Sequence, residues 1–195
     1  MRFVAKLAVA ALLAGVATGA SAVTVYSEDF SAPAFVGGLL SNDDTSDRFG
    51  PTTYFFISDA NGWSFDSSNT FLALPIEGSD GALLLNENGR GGSALRLISG
   101  LTIGQTYSLS FLLSGDNRPG DAYRLTGGIA GLSFSVDGTD GAPGSNAGTA
   151  LSYLFTATGT SHQLSFGQVG LSEASPIIDN ITITSVGGAV PEAST

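Results

Sequence analysis

Apolar and polar residues alternate along much of this 195-residue chain, in short runs separated by turn-forming residues. The clearest run is TYSLSFLL at residues 106–113, where Tyr107, Leu109 and Phe111 alternate with hydroxyl-bearing residues. A period of two predicts a β-strand with one face in the core and the other facing solvent or a ligand. Nine further runs have strand composition between turn-forming residues: 23–30, 52–57, 62–65, 82–85, 94–98, 132–136, 151–155, 164–166 and 177–184.

The fold class follows from these runs and from the lack of helical patterns. No window after residue 22 repeats apolar residues at the helical spacing, so little helix is expected. About ten short strands joined by turns predict an all-β protein, an antiparallel β-sandwich of the jelly-roll kind. A short connection into a strand is expected at residues 101–105, and tight Asp-Gly turns at Asp137 and Asp140. Longer polar loops are expected at residues 41–47, 115–128 and 138–148.

The first 22 residues have the order of a secretory signal peptide. Arg2 and Lys6 precede the apolar run at residues 7–16, and small residues follow at 20–22. The apolar run is shorter than the roughly 20 residues of a membrane span. An N-terminal buried helix is the alternative interpretation. We therefore expect a leader at residues 1–22, one jelly-roll domain at residues 23–186 and a flexible tail at residues 187–195.

Charge and cysteine content limit the classes of partner. Without the two basic residues of the leader, five arginines and no lysine stand against 17 acidic residues, a formal net charge of −12. Nucleic acid and anionic membrane surfaces are therefore disfavoured as partners, because both are bound by clustered basic residues. The chain has no cysteine, so an exported protein of this kind is stable without disulfides, which favours a bacterial envelope or medium.

Three segments carry a resemblance to a known family. They are GSDGALLL at residues 78–85, LRLISGLTIGQTYSLSF at residues 95–111 and PIIDNITI at residues 176–183. Together they resemble the galactose-binding-like jelly rolls of bacterial carbohydrate-binding modules and of the related choice-of-anchor proteins. The resemblance implies a module that binds extracellular polysaccharide, with its first and last strands side by side. Because this superfold hosts many binding tasks, the resemblance is more specific for the fold than for the ligand.

The C-terminal residues resemble a sorting signal. Val190, Pro191 and Glu192 follow a Gly-containing spacer and are similar to the Val-Pro-Glu-Pro signature (PEP-CTERM) of exosortase-processed bacterial surface proteins. Ala193 stands where that family has its second proline. The resemblance implies a secreted or cell-surface location, and a plain flexible tail is the alternative.

Acidic residues in the first and last strands indicate a cation site. Asp179 shares parity with isoleucines of the last strand, so a core-facing carboxylate would need a cation or several N–H donors. Carbohydrate-binding relatives hold a structural calcium between these strands, and the resemblance implies Ca²⁺ bound by Glu28, Asp29 and Asp179. The alternative is that Asp179 accepts backbone N–H bonds while Glu28 is solvated. The acidic loop at residues 41–47 lacks EF-hand spacing and is interpreted as a solvated loop.

Candidate ligand contacts combine charged and aromatic side chains in the predicted loops. Trp63 is the only tryptophan, and its Gly-Trp context in the resembling families favours a core position over a stacking platform. Tyr123 is expected in a polar loop and is the better candidate for stacking on a sugar. The alternative for this loop is that its composition serves solubility alone. The predicted ligand-binding residues are Tyr123, Arg124, Arg118, Asp121 and Tyr54.

The sequence contains few of the residue patterns that catalytic sites require. The single histidine, His162, shares parity with Leu164 and Phe166, which indicates a strand-end or rim position and not a catalytic base. Cysteine, a second histidine and a Gly-x-Ser-x-Gly elbow are all absent. The favoured function is a non-catalytic binding module for extracellular polysaccharide or envelope glycan. The alternatives are a structural or adhesive matrix protein without a sugar site and, because 17 acidic residues offer many carboxylate pairs, a polysaccharide hydrolase or lyase.

Overall fold

The regular structure of the chain consists of β-strands. The computed structural model describes residues 21–30, 39–40, 53–56, 62–65, 71–74, 82–85, 92–115, 122–139, 148–169 and 176–187. In chain order the strands are β1 (Thr24–Glu28), β2 (Leu39–Leu40), β3 (Thr53–Phe56), β4 (Trp63–Phe65), β5 (Phe71–Leu74), β6 (Ala82–Leu84), β7 (Ser93–Ser99), β8 (Thr106–Gly115), β9 (Ala122–Ile129), β10 (Leu132–Thr139), β11 (Thr149–Thr156), β12 (Ser161–Val169) and β13 (Pro176–Ser185). Within this part of the chain, no helix has the length and apolar character that a membrane crossing requires.

The strands form two antiparallel sheets. Sheet A has the order β11-β8-β13-β6-β5-β3-β2. Strands β1 and β6 pair with different parts of the same edge of β13. Sheet B has the order β10-β9-β12-β7-β4. The predicted antiparallel β-sandwich is confirmed, and the first and last strands are neighbours as expected. The number of strands exceeds the ten runs predicted, because β2, β5 and β9 also form strands.

Side chains from both sheets meet in one aromatic core. In β8 every second residue is buried, which places Phe111 between the sheets as the alternation predicts. Its ring lies 5.2 Å from the ring of Phe166 and 5.7 Å from that of Phe134, both on sheet B. Tyr153 on β11 stacks on Phe134 at 4.5 Å. These contacts hold the two sheets together, since aromatic pairs at such spacings add to the burial energy.

The connection before β8 is a short turn, as the sequence indicates. The Gln105 N–H donates to the Thr102 carbonyl at 3.1 Å, and Gly104 adopts a positive φ of 81°. The hydroxyl of Tyr107 accepts a hydrogen bond from the Thr102 N–H at 2.9 Å, so the first buried residue of β8 fixes the turn that precedes it.

The strand predicted at residues 132–136 is confirmed and belongs to a β-hairpin that extends into both regions predicted as Gly-rich loops. Strand β9 begins at Ala122, inside the loop predicted at residues 115–128, and β10 continues through Asp137 to Thr139. The tight turn predicted at Asp137 is therefore wrong. The turn lies at Ala130 and Gly131, whose φ angles of 53° and 83° suit the twist of a two-residue hairpin.

Strand β13 contains a bulge that changes which residues face the core. The pairing of β13 with β8 shifts register between Asp179 and Thr182, and Asn180 has a φ of 50°. Ile178, Ile181 and Ile183 all belong to the core, although an unbroken strand would turn Ile178 the other way.

Candidate functional site

The outer surface of sheet B carries Arg124, one of the predicted ligand-binding residues. In β9, β10 and β12 the inward side chains include Leu125, Phe134 and Leu164, so the residues between them point outward. We call the outward positions of sheet B the B face. They are Ser64, Ser93, Leu95, Leu97, Ser99, Ala122, Arg124, Thr126, Gly128, Ser133, Ser135, Asp137, Ser161, Gln163, Ser165, Gly167 and Val169.

The strand register orders the B face into rows across the sheet. One row places Arg124 between Asp137 on β10 and Val169 on β12. At the other end of β12, Gln163 lies opposite Leu97. Six residues separate Gln163 from Val169, so the face is about 20 Å long at 3.4 Å per residue. Hydroxyl side chains and glycines occupy the middle, which leaves a shallow surface long enough for several linked sugar rings.

Arg124 and Asp137 form a two-point ion pair on this face. Arg124 Nε donates to Asp137 Oδ1 at 2.6 Å, and Nη2 donates to Oδ2 at 3.0 Å. Both side chains are exposed, by 55% and 69%. The hydrogen bonds from Arg124 lower the pKa of Asp137 below its ordinary value, and the same bonds raise the pKa of Arg124. The pair therefore stays ionised near neutral pH and presents donors and acceptors in fixed positions.

Tyr123 does not lie in a loop. It is the second residue of β9, its side chain is 7% exposed, and it belongs to the core cluster. The alternation of β9 turns it inward beside Leu125 and turns Arg124 outward. A Cβ at Gly138 on β10 would overlap its ring, so glycine at that position makes room for the tyrosine. The expectation of a loop tyrosine stacking on a sugar is corrected, because a buried ring offers no face to a ligand.

The other predicted site residues have different positions. Trp63 is 2% exposed and packs between Phe30 and Phe166, which confirms the core position favoured for it. Tyr54 lies in β3 and pairs with Leu40 and Ala73, and its side chain is outside the described residues. Arg118, Asp121 and the loop 41–47 also lie outside them.

His162 has a structural role at the start of β12. Its Nε2 accepts hydrogen bonds from the backbone N–H groups of Thr158 at 3.1 Å and Gly159 at 2.9 Å. The ring therefore fastens the turn between β11 and β12. The strand-end position predicted for it is confirmed.

The predicted calcium residues lie at one end of the pair formed by β1 and β13. Glu28 pairs with Ile181, which places it beside the bulge that contains Asp179. The bulge overturns the prediction that Asp179 faces the core with the isoleucines. Its carboxylate accepts hydrogen bonds from the Asn180 backbone at 2.6 Å and side chain at 3.2 Å, and Glu28 accepts one from the Phe30 N–H at 3.3 Å.

The described residues alone do not provide a calcium site. No group of three or more His, Cys, Asp or Glu side chains among them is placed to hold a metal ion. The carboxylates of Glu28 and Asp179 are instead engaged by neighbouring amide groups. Calcium bound by Glu28, Asp29 and Asp179 stays a prediction that needs further ligands from elsewhere in the chain.

Thermal unfolding with calcium and with chelator tests that prediction. An ion that binds only the folded state at 100 times its dissociation constant adds about 2.7 kcal/mol, which is a rise of roughly 5–10 °C in Tm for a domain of this size. Asp179→Asn is expected to abolish the rise, whereas Asp137→Asn, on the B face, is expected to keep it. Equal Tm values with calcium and chelator would contradict calcium binding.

A partly buried arginine lies where β1 meets sheet B. Arg96 points inward from β7, opposite Trp63, and its guanidinium carbon lies 5.4 Å from the centre of the Tyr26 ring. A Cβ at Gly62, whose φ is 74°, would overlap the guanidinium. In the described structure Nε and Nη1 of Arg96 are buried without a hydrogen-bond partner. Burial, and then the Glu28 carboxylate, raise the pKa of Tyr26, so its phenol stays neutral. We call this group the Arg96 junction.

Sequence reasoning placed a ligand contact at Arg124 and missed the residues beside it. The sequence pattern predicts a turn at Asp137 and gives no binding role to Val169, Gln163 or Leu97. The alternation of Leu164 and Phe166 is a signal that could have found Gln163, because it turns the intervening residues outward. The pairing of Arg124 with Asp137 depends on the hairpin register, which the sequence pattern does not reveal.

Comparison with known proteins shows similar folds. No protein-family model and no curated protein matches the chain. Among solved structures, the chain is similar to the CBM22-1 xylan-binding domain of Xyn10C from Paenibacillus barcinonensis, with 11% identity and a TM-score of 0.50, covering 87% of this chain and 98% of that one. It is also similar to the CBM22-1-CBM22-2 tandem domain of Xyn10C, with 10% identity and a TM-score of 0.53, covering 91% of this chain and 49% of that one.

A third similar structure comes from a longer enzyme. It contains the CBM22-1 and GH10 modules of xylanase 10B from Clostridium thermocellum complexed with xylohexaose, with 16% identity and a TM-score of 0.47. The match covers 88% of this chain but only 30% of that one. At such identities the likeness concerns the fold, which is the β-sandwich found in carbohydrate-binding modules.

Proposed function

We propose that this chain is an exported, non-catalytic module that binds a neutral polysaccharide along the B face. The observation that carries the proposal is the row formed by Asp137, Arg124 and Val169 at one end of a shallow, hydroxyl-lined sheet surface. This row combines a fixed ion pair with an exposed apolar side chain.

The ion pair suits sugar hydroxyl groups, which both donate and accept hydrogen bonds. Arg124 uses Nε and Nη2 for Asp137, and its other guanidinium N–H bonds are available to an acceptor. Each oxygen of Asp137 accepts one of these bonds and keeps capacity for a second donor. Val169, which is 56% exposed, lies next to the pair and can contact the apolar C–H face of a sugar ring.

The charge distribution favours a neutral polymer over an acidic one. Among the described residues, Arg124 is the only basic side chain on the B face, and Asp137 already neutralises it. The whole chain has a formal net charge of −10, which repels polyanions such as uronic acid polymers. A neutral glycan pays no such electrostatic penalty.

The fold supports the class of ligand. Two similar structures with TM-scores of 0.50 and 0.53 are carbohydrate-binding modules, one of them named a xylan-binding domain. The leader-like residues 1–22 and the Val-Pro-Glu tail support export to the medium or cell surface. A structural matrix protein without a sugar site, and then a polysaccharide hydrolase or lyase, are the remaining alternatives.

Affinity electrophoresis of residues 23–195 tests the proposal. Gels containing xylan or another neutral β-glycan are expected to retard the protein, and gels containing polygalacturonate or alginate are not. Migration unchanged in every neutral polymer would refute glycan binding and favour the matrix protein. Release of reducing ends from any of these polymers would instead indicate an enzyme.

Variants of the B face locate the binding surface. Hydrogen bonds to charged groups contribute about 1.5–3 kcal/mol, so Arg124→Ala is expected to weaken binding about 10-fold or more. Leu97→Ala is expected to weaken it several-fold, while Ile103→Ala, a similarly exposed residue outside the sheet, is the matched control. Equal effects of the Leu97 and Ile103 substitutions would place the ligand elsewhere.

A further inference from the structure

Among the described residues, strand β11 forms an edge of sheet A that lacks the usual protection against pairing. It bonds to β8 along its whole length, from Thr149 to Thr156, without a register shift. No strand of the described residues bonds to its other side. Its sequence, TALSYLFT, contains no charged residue and no proline. Natural edge strands are usually blocked by charges, prolines, bulges or short length, because unpaired N–H and C=O groups invite a further strand.

The other edges of the described sheets do carry such devices. Strands β2 and β4 are only two and three residues long. Strand β1 contains Glu28, and β10 contains Asp137. Strand β11 is thus the one long, uncharged edge in the described part of the molecule.

On the outer surface of sheet A, β11 and the adjacent β8 carry only hydroxyl and apolar side chains. The outward positions of these two strands form what we call the A face, made of Thr106, Ser108, Ser110, Leu112, Ser114, Ala150, Ser152, Leu154 and Thr156. Asp179 lies beyond them on β13, opposite Leu112 and two strands away from β11. Its hydroxyl groups bond to one another, for example Ser108 to Ser152 at 2.8 Å. In a chain with a formal net charge of −10, two copies repel each other least where neither presents a charge.

We propose that two copies of this chain associate through β11, antiparallel and about a two-fold axis, to form one continuous sheet. The inference does not depend on glycan binding. A second copy suits this edge because the strand is self-complementary. In a continuous sheet, opposite residues must point to the same face, so the two-fold axis passes through a residue and not between two residues.

Centring the axis on Ser152 gives favourable contacts on both faces. On the A face, Ser152 lies opposite Ser152 of the second copy, and Leu154 lies opposite Ala150 of the second copy. Leu154 is 62% exposed in the single chain, so this pairing covers an apolar side chain that is otherwise in water. On the inward side, Leu151 lies opposite Tyr153 of the second copy, and both are only partly buried now.

A cysteine placed at the axis tests this geometry directly. The chain has no cysteine, so Ser152→Cys introduces a single thiol. Directly opposite residues of antiparallel strands have Cβ atoms about 4.5–5.5 Å apart, close to the separation that a disulfide spans. Mild oxidation is expected to give a disulfide-linked dimer. The matched control is Ser135→Cys, at the middle of the other long edge strand, β10, and it is expected to cross-link at least several-fold less.

Sedimentation of the unlabelled protein supplies a second, independent readout. The wild type is expected to show a concentration-dependent dimer that strengthens as ionic strength rises from about 0.01 to 0.15 M, since salt screens the acidic chains. Ser152→Glu places two carboxylates opposite each other and is expected to weaken the dimer at least about tenfold. Ser135→Glu is expected to leave it unchanged.

Either readout can overturn the inference. A wild type that stays monomeric to about 1 mM, together with equal cross-linking of the Ser152 and Ser135 variants, would exclude this dimer. A dimer that Ser152→Glu does not weaken would place the interface elsewhere. A monomer that instead binds an extended segment of another protein at β11 would also contradict pairing between copies.

Discussion

Phe111→Ala is expected to lower the free energy of unfolding by about 3–5 kcal/mol, the largest of the stability losses predicted for this chain. Phe111 is 2% exposed and contacts three other rings, those of Phe134, Phe166 and Tyr153. Two of these rings belong to sheet B, so truncation leaves a cavity between the sheets and removes aromatic pairs that join them. The loss of stability has two causes: the buried ring no longer contributes its transfer free energy, and a cavity remains where the ring was.

Denaturant titration followed by tyrosine and tryptophan fluorescence measures this loss. Phe111→Leu keeps most of the buried volume and is expected to cost clearly less than Phe111→Ala. Ile103→Ala, at an exposed position, is expected to change stability by less than about 0.5 kcal/mol. If Phe111→Ala cost no more than Ile103→Ala, the packing of the two sheets described above would be wrong.

Gly127→Ala is expected to destabilise the protein by about 1–3 kcal/mol, although alanine usually suits a strand better than glycine. A Cβ at Gly127 would lie 2.5 Å from the Ser165 carbonyl oxygen and 2.8 Å from Cε2 of Phe134. Neither group can move away cheaply, because one is backbone of β12 and the other is a ring in the aromatic core. The added methyl group must push β9 from β12 or displace the ring.

Gly167→Ala is the matched control for this prediction. Gly167 lies one residue pair away on β12, opposite Thr126, and the nearest atom to an added Cβ is Thr126 Oγ1 at 3.5 Å. That is ordinary contact, so the substitution is expected to be neutral or to stabilise by about 0.4–1 kcal/mol through the unfolded state. Thermal unfolding of the two variants side by side should separate them by several degrees. Equal Tm values would show that the close approach at Gly127 is not a constraint.

Strands with strict alternation could be predicted from the sequence alone. In β8, β11 and β12, large apolar residues occupy every second position, and their burial follows the pattern. The strand predicted at residues 132–136 is confirmed as part of β10, but β9 and the hairpin that joins the two strands could not be predicted in the same way. Its outward residues are polar or glycine and it contains Asp137-Gly138, so its composition is that of a loop. The strand forms because tertiary contacts of Tyr123 and Leu125 override local preference.

Parity arguments fail wherever a bulge interrupts a strand. Asp179 was expected to face the core because it stands two residues from Ile177 and Ile181. The bulge beside Asn180 puts Ile178 and Ile181 in the core together, so Asp179 needs no buried counter-ion. The local sign of the bulge is the positive φ of Asn180, which the sequence pattern does not reveal.

The candidate site also could be predicted only in part from the sequence. Arg124 could be proposed from its residue type, and the structure places it on an exposed face. The identity of its neighbours depends on which strands pair and in which register, which is information that a single sequence does not contain. Tyr123 and Arg124 are both predicted to contact the ligand, but adjacent residues of one strand face opposite sides of the sheet, so Tyr123 points into the core.

The Arg96 junction affects how the sandwich opens. The guanidinium of Arg96 offers donors at Nε and Nη1, and the described residues provide no acceptor for either atom. Strand β1, whose Tyr26 lies over the guanidinium, bonds to β13 and to no other described strand. When β1 detaches, water reaches Arg96, and its hydration offsets part of the lost contacts. Amide hydrogens of β1 should therefore exchange with solvent through this local opening, long before those of β8, which unfolds only with the whole sheet.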